Sequence, residues 1–151
     1  MSGGRVLVSL GGSVAWPVEL RRQELVGLVD AELVADFHCR EGWTRPGVHW
    51  RGVRLATLLA LAGADDEGRF VTVASGGYVA VLERERAEDG RVLLALERDG
   101  KPLGPADGLP RLVGPSEWDC FLSVKSVDRI EVTHEPAEAT AERIALARIA
   151  R

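Results

Sequence analysis

Short apolar runs separated by turn-forming residues dominate the chain. Residues 5–10 read as a strand, and residues 69–75 and 78–83 flank a Gly-Gly pair, a combination that is typical of a β-hairpin. Residues 91–103 predict a strand that leads into an Asp-Gly turn at 99–100. Further strand candidates with the same short apolar character are 32–37, 109–115 and 121–132.

Three segments instead carry the apolar spacing of a helix. They are residues 17–28, residues 54–64 with Gly63 near the end, and the terminal residues 135–151. Many strands and few helices predict an α+β domain on an antiparallel or mixed sheet, with short flanking helices and a C-terminal helix. We expect one domain over 1–134, with the terminal helix as part of it or appended to it.

Composition and charge narrow the class of protein. The chain has 151 residues, 46% hydrophobic and 28% charged, which suits a globular domain with a true core. The net charge is −4 and the arginines are scattered among glutamates, so no basic patch for nucleic acid is expected. Residues 1–16 are too short and glycine-interrupted for a secretory signal or a membrane span. We therefore expect a cytoplasmic protein with neither nucleic acid nor membrane as partner.

The two cysteines, Cys39 and Cys120, are too few for a disulfide scaffold. Cys39 follows the strand candidate at 32–37 and precedes residues 40–52, which are rich in turn formers and predict a loop. A side chain at the end of a strand is held rigidly while it stays exposed, which suits a ligand or a nucleophile. On the residues alone, a buried and inert thiol is the favoured interpretation, because this is the commoner state of a free cysteine.

The histidines allow a second kind of metal site. His38 and His49 lie near Cys39 in the sequence, and imidazole and thiolate both suit zinc. A structural zinc site usually takes four ligands at short spacings, and the third histidine, His134, is far away. A zinc-binding or thiol-redox protein stays a hypothesis that requires His38 or His49 to turn toward Cys39.

Five landmarks occur in a fixed order along the chain: HCREGW, HWRGVRLATLLALAG, VTVASGGY, LALERDGKPLGPADGLPRLVGP and SVKSVDRIEV. Together they resemble the molybdopterin-binding domain of the sulfite oxidase family, from about Arg5 to Thr133. The resemblance implies molybdopterin with molybdenum as the cofactor, and the mixed-sheet fold of that family.

The resemblance also implies roles for individual residues. Cys39 falls at the thiolate ligand of molybdenum, and a soft anionic sulfur suits a high-valent metal. Tyr78 would donate a hydrogen bond at the oxo group of the metal, as a second catalytic residue. Arg111 and Lys125 would be the main phosphate ligands, because a guanidinium offers a planar fork and an ammonium a point charge. The full set of implied cofactor-binding residues is Ser75, Asp107, Arg111, Ser123, Val124 and Lys125.

The implied function is that of a small molybdopterin-dependent oxidoreductase. It would transfer an oxygen atom to or from a small oxyanion or sulfoxide-type substrate. The chain shows no haem motif, so the resemblance implies a separate electron carrier as partner. The cofactor would carry the redox chemistry, and the protein would supply a ligand, a phosphate clamp and an access channel.

The alternative is a cofactor-free binding or interaction module with the same fold. Three departures from the family favour it: Asp107 stands where the family often has Asn, Pro110 directly precedes Arg111, and the family's N-terminal pterin-holding segment is missing from this sequence. A partner subunit, for example in a homo-oligomer, would be one source of the missing wall of the pterin pocket. Convergence of Cys39, Arg111 and Lys125 on one cleft would favour the enzyme.

Overall fold

The computed structural model describes residues 4–38 and 44–149. Within these ranges the α-helices are α1 (Arg22–Leu28), α2 (Leu55–Leu61), α3 (Arg84–Ala87) and α4 (Ala141–Ile149), and two 3₁₀ turns span Pro105–Asp107 and Cys120–Leu122. The strands are β1 (Val6–Gly12), β2 (Val18–Arg21), β3 (Ala31–His38), β4 (Thr44–Arg54), β5 (Phe70–Ser75), β6 (Tyr78–Glu83), β7 (Leu93–Arg98), β8 (Lys101–Pro102), β9 (Arg111–Val113) and β10 (Arg129–Thr133). No helix in the described ranges has the length and apolar character needed to cross a bilayer.

The strands form two sheets. Sheet A has the order β2-β1-β10-β5-β6, and sheet B has the order β3-β4-β7-β8, with β9 paired to another part of β7. Strands β1 and β10 run parallel, whereas the other strand pairs in the described ranges are antiparallel. This arrangement confirms the predicted α+β class with a mixed sheet.

Strand β7 is buried on both faces because its side chains alternate between two apolar clusters. Leu94 and Leu96 belong to the main core, which sheet A and α2 also line. Leu93 and Ala95 face the other way and pack in a smaller cluster with Trp50 of β4. Strand β7 therefore anchors β4 and β9, the two strands that carry the candidate site.

Two predicted turns are confirmed. Asp99 and Gly100 both have positive φ angles, 51° and 81°, which is the backbone that a tight hairpin between β7 and β8 requires. In the β5–β6 hairpin, Ser75 pairs with Tyr78 across the Gly-Gly turn, and Gly76 has a φ of 55°. Both turns follow from residue types that tolerate left-handed backbone.

The predicted helix at 17–28 is wrong in its first part, because Val18–Arg21 forms β2 and α1 follows it. Leu20 is only 3% exposed, and β2 pairs with the edge of β1. Backbone pairing and core burial override the helical spacing of the apolar residues. The carboxylate of Glu24 accepts a hydrogen bond from the N–H of Arg21 at 3.0 Å, which supports the helix start.

The predicted loop at 40–52 is also partly wrong, since β4 begins at residue 44. Pro46 and Gly47 form a bulge in β4 opposite Asp36 of β3, and the N–H of Gly47 donates to the Asp36 carboxylate at 2.9 Å. Strand β4 pairs with β7 only from Trp50 onward. Pro46 is tolerated because no ladder partner is required on that side at its position.

Two further boundaries differ from the prediction. Of the strand expected at 121–132, only the end forms β10, because Ser126 has a φ of 54° that interrupts the ladder. The terminal helix starts at residue 141 rather than near 135. Before it, the N–H of Thr140 donates to the carbonyl of Val79 at 2.9 Å, which holds the chain beside β6 until α4 begins.

Candidate functional site

The segment 123–127 lies against residues 108–112, and this contact builds the candidate site. The N–H of Leu112 donates to the carbonyl of Val124 at 2.9 Å, and the N–H of Val127 donates to the carbonyl of Pro110 at 2.9 Å. The side chain of Val124 is fully buried in the main core. These bonds explain why residues more than ten positions apart in the chain become neighbours.

Arg111 of β9 is the central cation of the site. It is 8% exposed, and its Nε donates to the Oγ of Ser123 at 3.0 Å. Its guanidinium carbon lies 5.6 Å from the ring centroid of Trp50. Burial, followed by the charges of Arg98 and Arg45, lowers the pKa of Arg111 to about 10. A guanidinium in such surroundings is stabilised by a bound anion.

Lys125 belongs to the same electrostatic cluster. Partial burial lowers its pKa, and the charges of Arg111, Arg148 and Arg98 lower it further. Gly108 approaches the Lys125 backbone so closely that a Cβ on Gly108 would lie 2.6 Å from the Cβ of Lys125. Positively charged side chains from β7, β9, the 123–127 segment and α4 therefore form one electrostatic cluster.

Asp107 supplies a carboxylate at the edge of this cluster. Its Oδ1 accepts a hydrogen bond from Arg98 at 3.2 Å, and its Oδ2 accepts one from the N–H of Gly104 at 3.1 Å. The guanidinium carbon of Arg98 lies 6.0 Å from the centroid of the Trp50 ring. Asp107 thus offsets the charge of Arg98, and its predicted contact with the cofactor stays a prediction.

Tyr78 and Ser75 lie at the tip of the β5–β6 hairpin. The hydroxyl of Tyr78 donates to the carbonyl of Phe121 at 2.7 Å, and burial raises its pKa. A tyrosine has one hydroxyl proton, so Tyr78 would have to exchange this bond to donate to an oxo group. The catalytic role of Tyr78 and the cofactor contact of Ser75 both stay predictions.

A small cleft opens beside this cluster, and the space between its walls, about 320 Å³, includes open solvent. Its lining includes two buried tryptophans, two carboxylates, a thiol and a hydroxyl: Trp50, Trp118, Asp36, Asp119, Cys120 and Ser123. The predicted ligand Cys39 lies outside the described residues. The predicted convergence of Cys39 with Arg111 and Lys125 on one cleft therefore stays a prediction.

The zinc hypothesis depends on Cys39, which lies outside the described residues, and it stays a prediction, although the two histidines whose side chains are described have other partners. His49 pairs with Glu32 at 2.8 Å, and His134 pairs with Asp65 at 2.9 Å in a different part of the fold. Across residues 4–38 and 44–149, no group of three or more His, Cys, Asp or Glu side chains is placed to hold a metal ion.

The sequence pattern does not identify several residues near the site. Arg98 lies beside Trp50, and Cys120 lines the cleft, although neither Arg98 nor Cys120 is predicted as a site residue. The terminal helix is predicted to carry no chemistry, yet Arg148 extends from it over the ring of Tyr78. The seven-residue spacing from Ala141 to Arg148, which puts both on one side of the helix, was the signal available in the sequence.

The family model described as "Oxidoreductase molybdopterin binding domain" matches residues 5–141. The chain belongs to this family. The match confirms the resemblance to sulfite oxidase-like molybdopterin-binding proteins. The cofactor of this family is molybdopterin.

Two curated relatives match most of the chain. The chain is 28% identical to the protein-methionine-sulfoxide reductase catalytic subunit MsrP of Campylobacter jejuni, over 91% of this chain and 52% of that protein. It is 31% identical to the MsrP catalytic subunit of Gluconobacter oxydans, over 85% of this chain and 47% of that protein. The chain spans about half the length of these relatives.

A solved structure confirms the fold. The sulfane dehydrogenase SoxCD of Paracoccus pantotrophus superposes with a TM-score of 0.79 at 23% identity, over 88% of this chain and 39% of that chain. The predicted sheet domain of the molybdopterin-binding type is therefore the fold of this family member.

The donor set of the site fits the phosphate end of molybdopterin. Arg111 presents a planar guanidinium, Ser123 a hydroxyl and Lys125 an ammonium, and these are the groups that bind phosphate in proteins. Burial lowers the pKa values of Arg111 and Lys125, and the repulsion from neighbouring cations lowers them further. A bound phosphate dianion would relieve this repulsion.

Proposed function

We propose that this protein is a molybdopterin-dependent oxidoreductase that transfers an oxygen atom to or from a small sulfoxide-type or oxyanion substrate. One observation carries the proposal: Arg111, Ser123 and Lys125 lie together beside a cleft in a chain of the molybdopterin-binding family. The relatives named as methionine-sulfoxide reductases support a sulfoxide as the first substrate to test.

The residues of the chain would divide the work of binding. Arg111 and Lys125 would bind the phosphate, and Ser123 would hold the Arg111 guanidinium in place through its hydroxyl. Val124 would act through its buried side chain, which anchors the backbone of the phosphate-binding segment. Cys39 would ligate molybdenum, which when bound supplies the two-electron chemistry of oxygen transfer.

The cleft favours a neutral substrate over an anionic one. Trp50 and Trp118 give it apolar walls, which suit the hydrocarbon groups of a sulfoxide and exclude water. The carboxylates of Asp36 and Asp119 line the same cleft and would repel an oxyanion. Both features support a sulfoxide within the proposed substrate range.

A separate carrier would supply or remove the electrons. Reduction of a sulfoxide to a thioether consumes two electrons and two protons and releases one water molecule. The two MsrP relatives are named as catalytic subunits, which supports a partner protein in this role. The expected cytoplasmic location stays a prediction, which fractionation of the native cells would test.

Elemental analysis for molybdenum and zinc tests the proposal directly. The full chain is produced in a host that makes molybdopterin, as wild type, Cys39→Ser and Cys120→Ser. We expect near-stoichiometric molybdenum in the wild type and in Cys120→Ser, and its loss in Cys39→Ser. Cys120→Ser is the matched comparison because its thiol lines the cleft.

Other outcomes separate the hypotheses. Loss of molybdenum in Cys120→Ser, with Cys39→Ser unaffected, would show that the ligand assignment is wrong while the function stands. A folded wild type without molybdenum would contradict the function and favour the cofactor-free module, and stoichiometric zinc instead would favour the zinc hypothesis.

A further inference from the structure

Helix α4 lies almost entirely beyond the family match, which ends at residue 141. It nevertheless packs on β6 and on the 3₁₀ turn Cys120–Leu122, two elements next to the cleft. Nothing in the sequence landmarks of the family assigns this helix a role. Its position raises the question of what it adds to the site.

One face of α4 is directed at the body of the protein, and it carries an arginine. Ala141 is 1% exposed, and Ile144 and Ala145 are partly buried. Arg148 follows at the spacing of four and seven residues that places it on the same face. Arg148 itself is exposed, so its guanidinium lies at the solvent edge of this face, where a ligand can reach it.

The start of α4 is held firmly against the hairpin that carries Tyr78. The N–H of Val79 donates to the Oγ1 of Thr140 at 2.9 Å, and the N–H of Thr140 donates back to the carbonyl of Val79 at 2.9 Å. The hydroxyl of Thr140 also donates to the carbonyl of Gly77. These bonds define where the last turn of the helix, with Arg148, comes to lie.

Arg148 reaches the candidate site at two points. Its guanidinium carbon lies 5.5 Å from the centroid of the Tyr78 ring, in a cation–π arrangement. Its charge also acts on Lys125, alongside the charges of Arg111 and Arg98. A cation from a separate helix thus joins the cluster of positive charge around Lys125.

We propose that Arg148 is a further binding residue of this site, which together with Arg111 and Lys125 binds the phosphate monoester of the cofactor. Helix α4 then forms part of the phosphate-binding site. The stacking of the Arg148 guanidinium on the Tyr78 ring orients that guanidinium. The proposal rests on the proposed function for the identity of the phosphate-bearing ligand. The rival explanation is structural, since a cation in the last turn also stabilises the helix dipole.

A phosphate titration distinguishes the two explanations without the loaded enzyme. The full chain, made in a host that lacks molybdopterin, is titrated calorimetrically with inorganic phosphate at low ionic strength. The variants are Arg148→Gln, Arg148→Lys and the matched control Arg143→Gln, which removes the same charge from the exposed face of α4. Circular dichroism and thermal melting check that each variant is folded.

We expect Arg148→Gln to weaken phosphate binding about five- to tenfold, the size of one charge-assisted contact. Arg143→Gln should change it less than about twofold, because Arg143 lies on a different side of α4 from Arg148, the residue that stacks on Tyr78. Arg148→Lys should keep most of the affinity, since it retains the charge. A purely structural role would lower the melting temperature and leave the phosphate affinity unchanged.

The proposal is overturned if Arg148→Gln and Arg143→Gln have equal effects, or if the wild type binds no phosphate at millimolar concentrations. Molybdenum content from a competent host provides the second arm. A lower content in Arg148→Gln than in Arg143→Gln supports the cofactor phosphate as the occupant, and an unchanged content overturns that assignment. If the wild type from the competent host contains no molybdenum while phosphate binding still depends on Arg148, the proposed function is contradicted and the anion site stands.

Discussion

Gly108 connects the stability of the fold to the geometry of the phosphate site. It follows the 3₁₀ turn Pro105–Asp107 with φ 82° and ψ 44°, a left-handed backbone that side chains disfavour. Its carbonyl accepts a hydrogen bond from the N–H of Ser126 at 3.0 Å. A Cβ at this position would lie 2.6 Å from the Cβ of Lys125. Substitution with alanine should therefore push the 123–127 segment away from residues 108–112.

The cost of Gly108→Ala has two parts. The left-handed backbone costs a non-glycine residue about 1–2 kcal/mol, and the stiffer unfolded chain returns about 0.4–1 kcal/mol of this. The contact with Lys125 involves a side-chain stem next to the backbone, so the segment itself must move, at a cost of about 1–3 kcal/mol. We expect the free energy of unfolding to fall by about 2–4 kcal/mol in total.

Gly76→Ala is the matched control. Gly76 also has a positive φ of 55°, but a Cβ there would meet no atom within 4 Å. Urea unfolding should show a loss of about 1 kcal/mol or less for Gly76→Ala, so the difference between the variants isolates the contact with Lys125. Phosphate affinity should fall only in Gly108→Ala. Equal losses of stability in the two variants, or unchanged phosphate affinity in Gly108→Ala, would refute the reasoning.

Two further predictions concern the ties that hold the chain around the site. Thr140→Ala should lower the free energy of unfolding by about 1–2 kcal/mol, since it removes a hydroxyl that accepts from the N–H of Val79 and donates to the carbonyl of Gly77, whereas Thr140→Ser should stay near the wild type; equal losses in urea unfolding would contradict this. Hydrogen bonds from the N–H of Glu67, from His134 and from the hydroxyl of Ser13 lower the pKa of Asp65 below 3.8. The stability that this carboxylate contributes is present above pH 3.8 and is lost as the pH falls through its depressed pKa. Asp65→Asn should therefore be less stable than the wild type at pH 7, and the difference should shrink below pH 4; a difference independent of pH would count against the role of its charge.

The predictable parts of the structure are those in which a few neighbouring residues decide the backbone. Asp99-Gly100 and Gly76-Gly77 predict their hairpins because these residue types tolerate positive φ angles. The helix at 54–64 follows from a dense apolar run that ends near Gly63, and it is found as α2. The identity of the site was predictable only in part, and through resemblance: Arg111, Ser123 and Lys125 were named together, and the structure places them together.

The failures occur where distant segments compete for the same backbone bonds. Residues 18–21 have helical spacing, yet they pair with β1 because that edge offers hydrogen bonds and a core position for Leu20. Pro46 indicates a loop, yet it lies in β4 as part of a bulge. In each case the local preference amounts to a fraction of the free energy that burial and pairing contribute.

The sequence by itself determined the class of the fold, the turn positions and the residue types that suit a phosphate-bearing cofactor. Only the tertiary structure decided that Arg98, Trp50 and Arg148 join Arg111 and Lys125, because these side chains come from elements far apart in the chain. The physical reason is the range of the interactions. Backbone preference acts between adjacent residues, whereas burial and charge act between whichever side chains the packed core brings within a few ångströms.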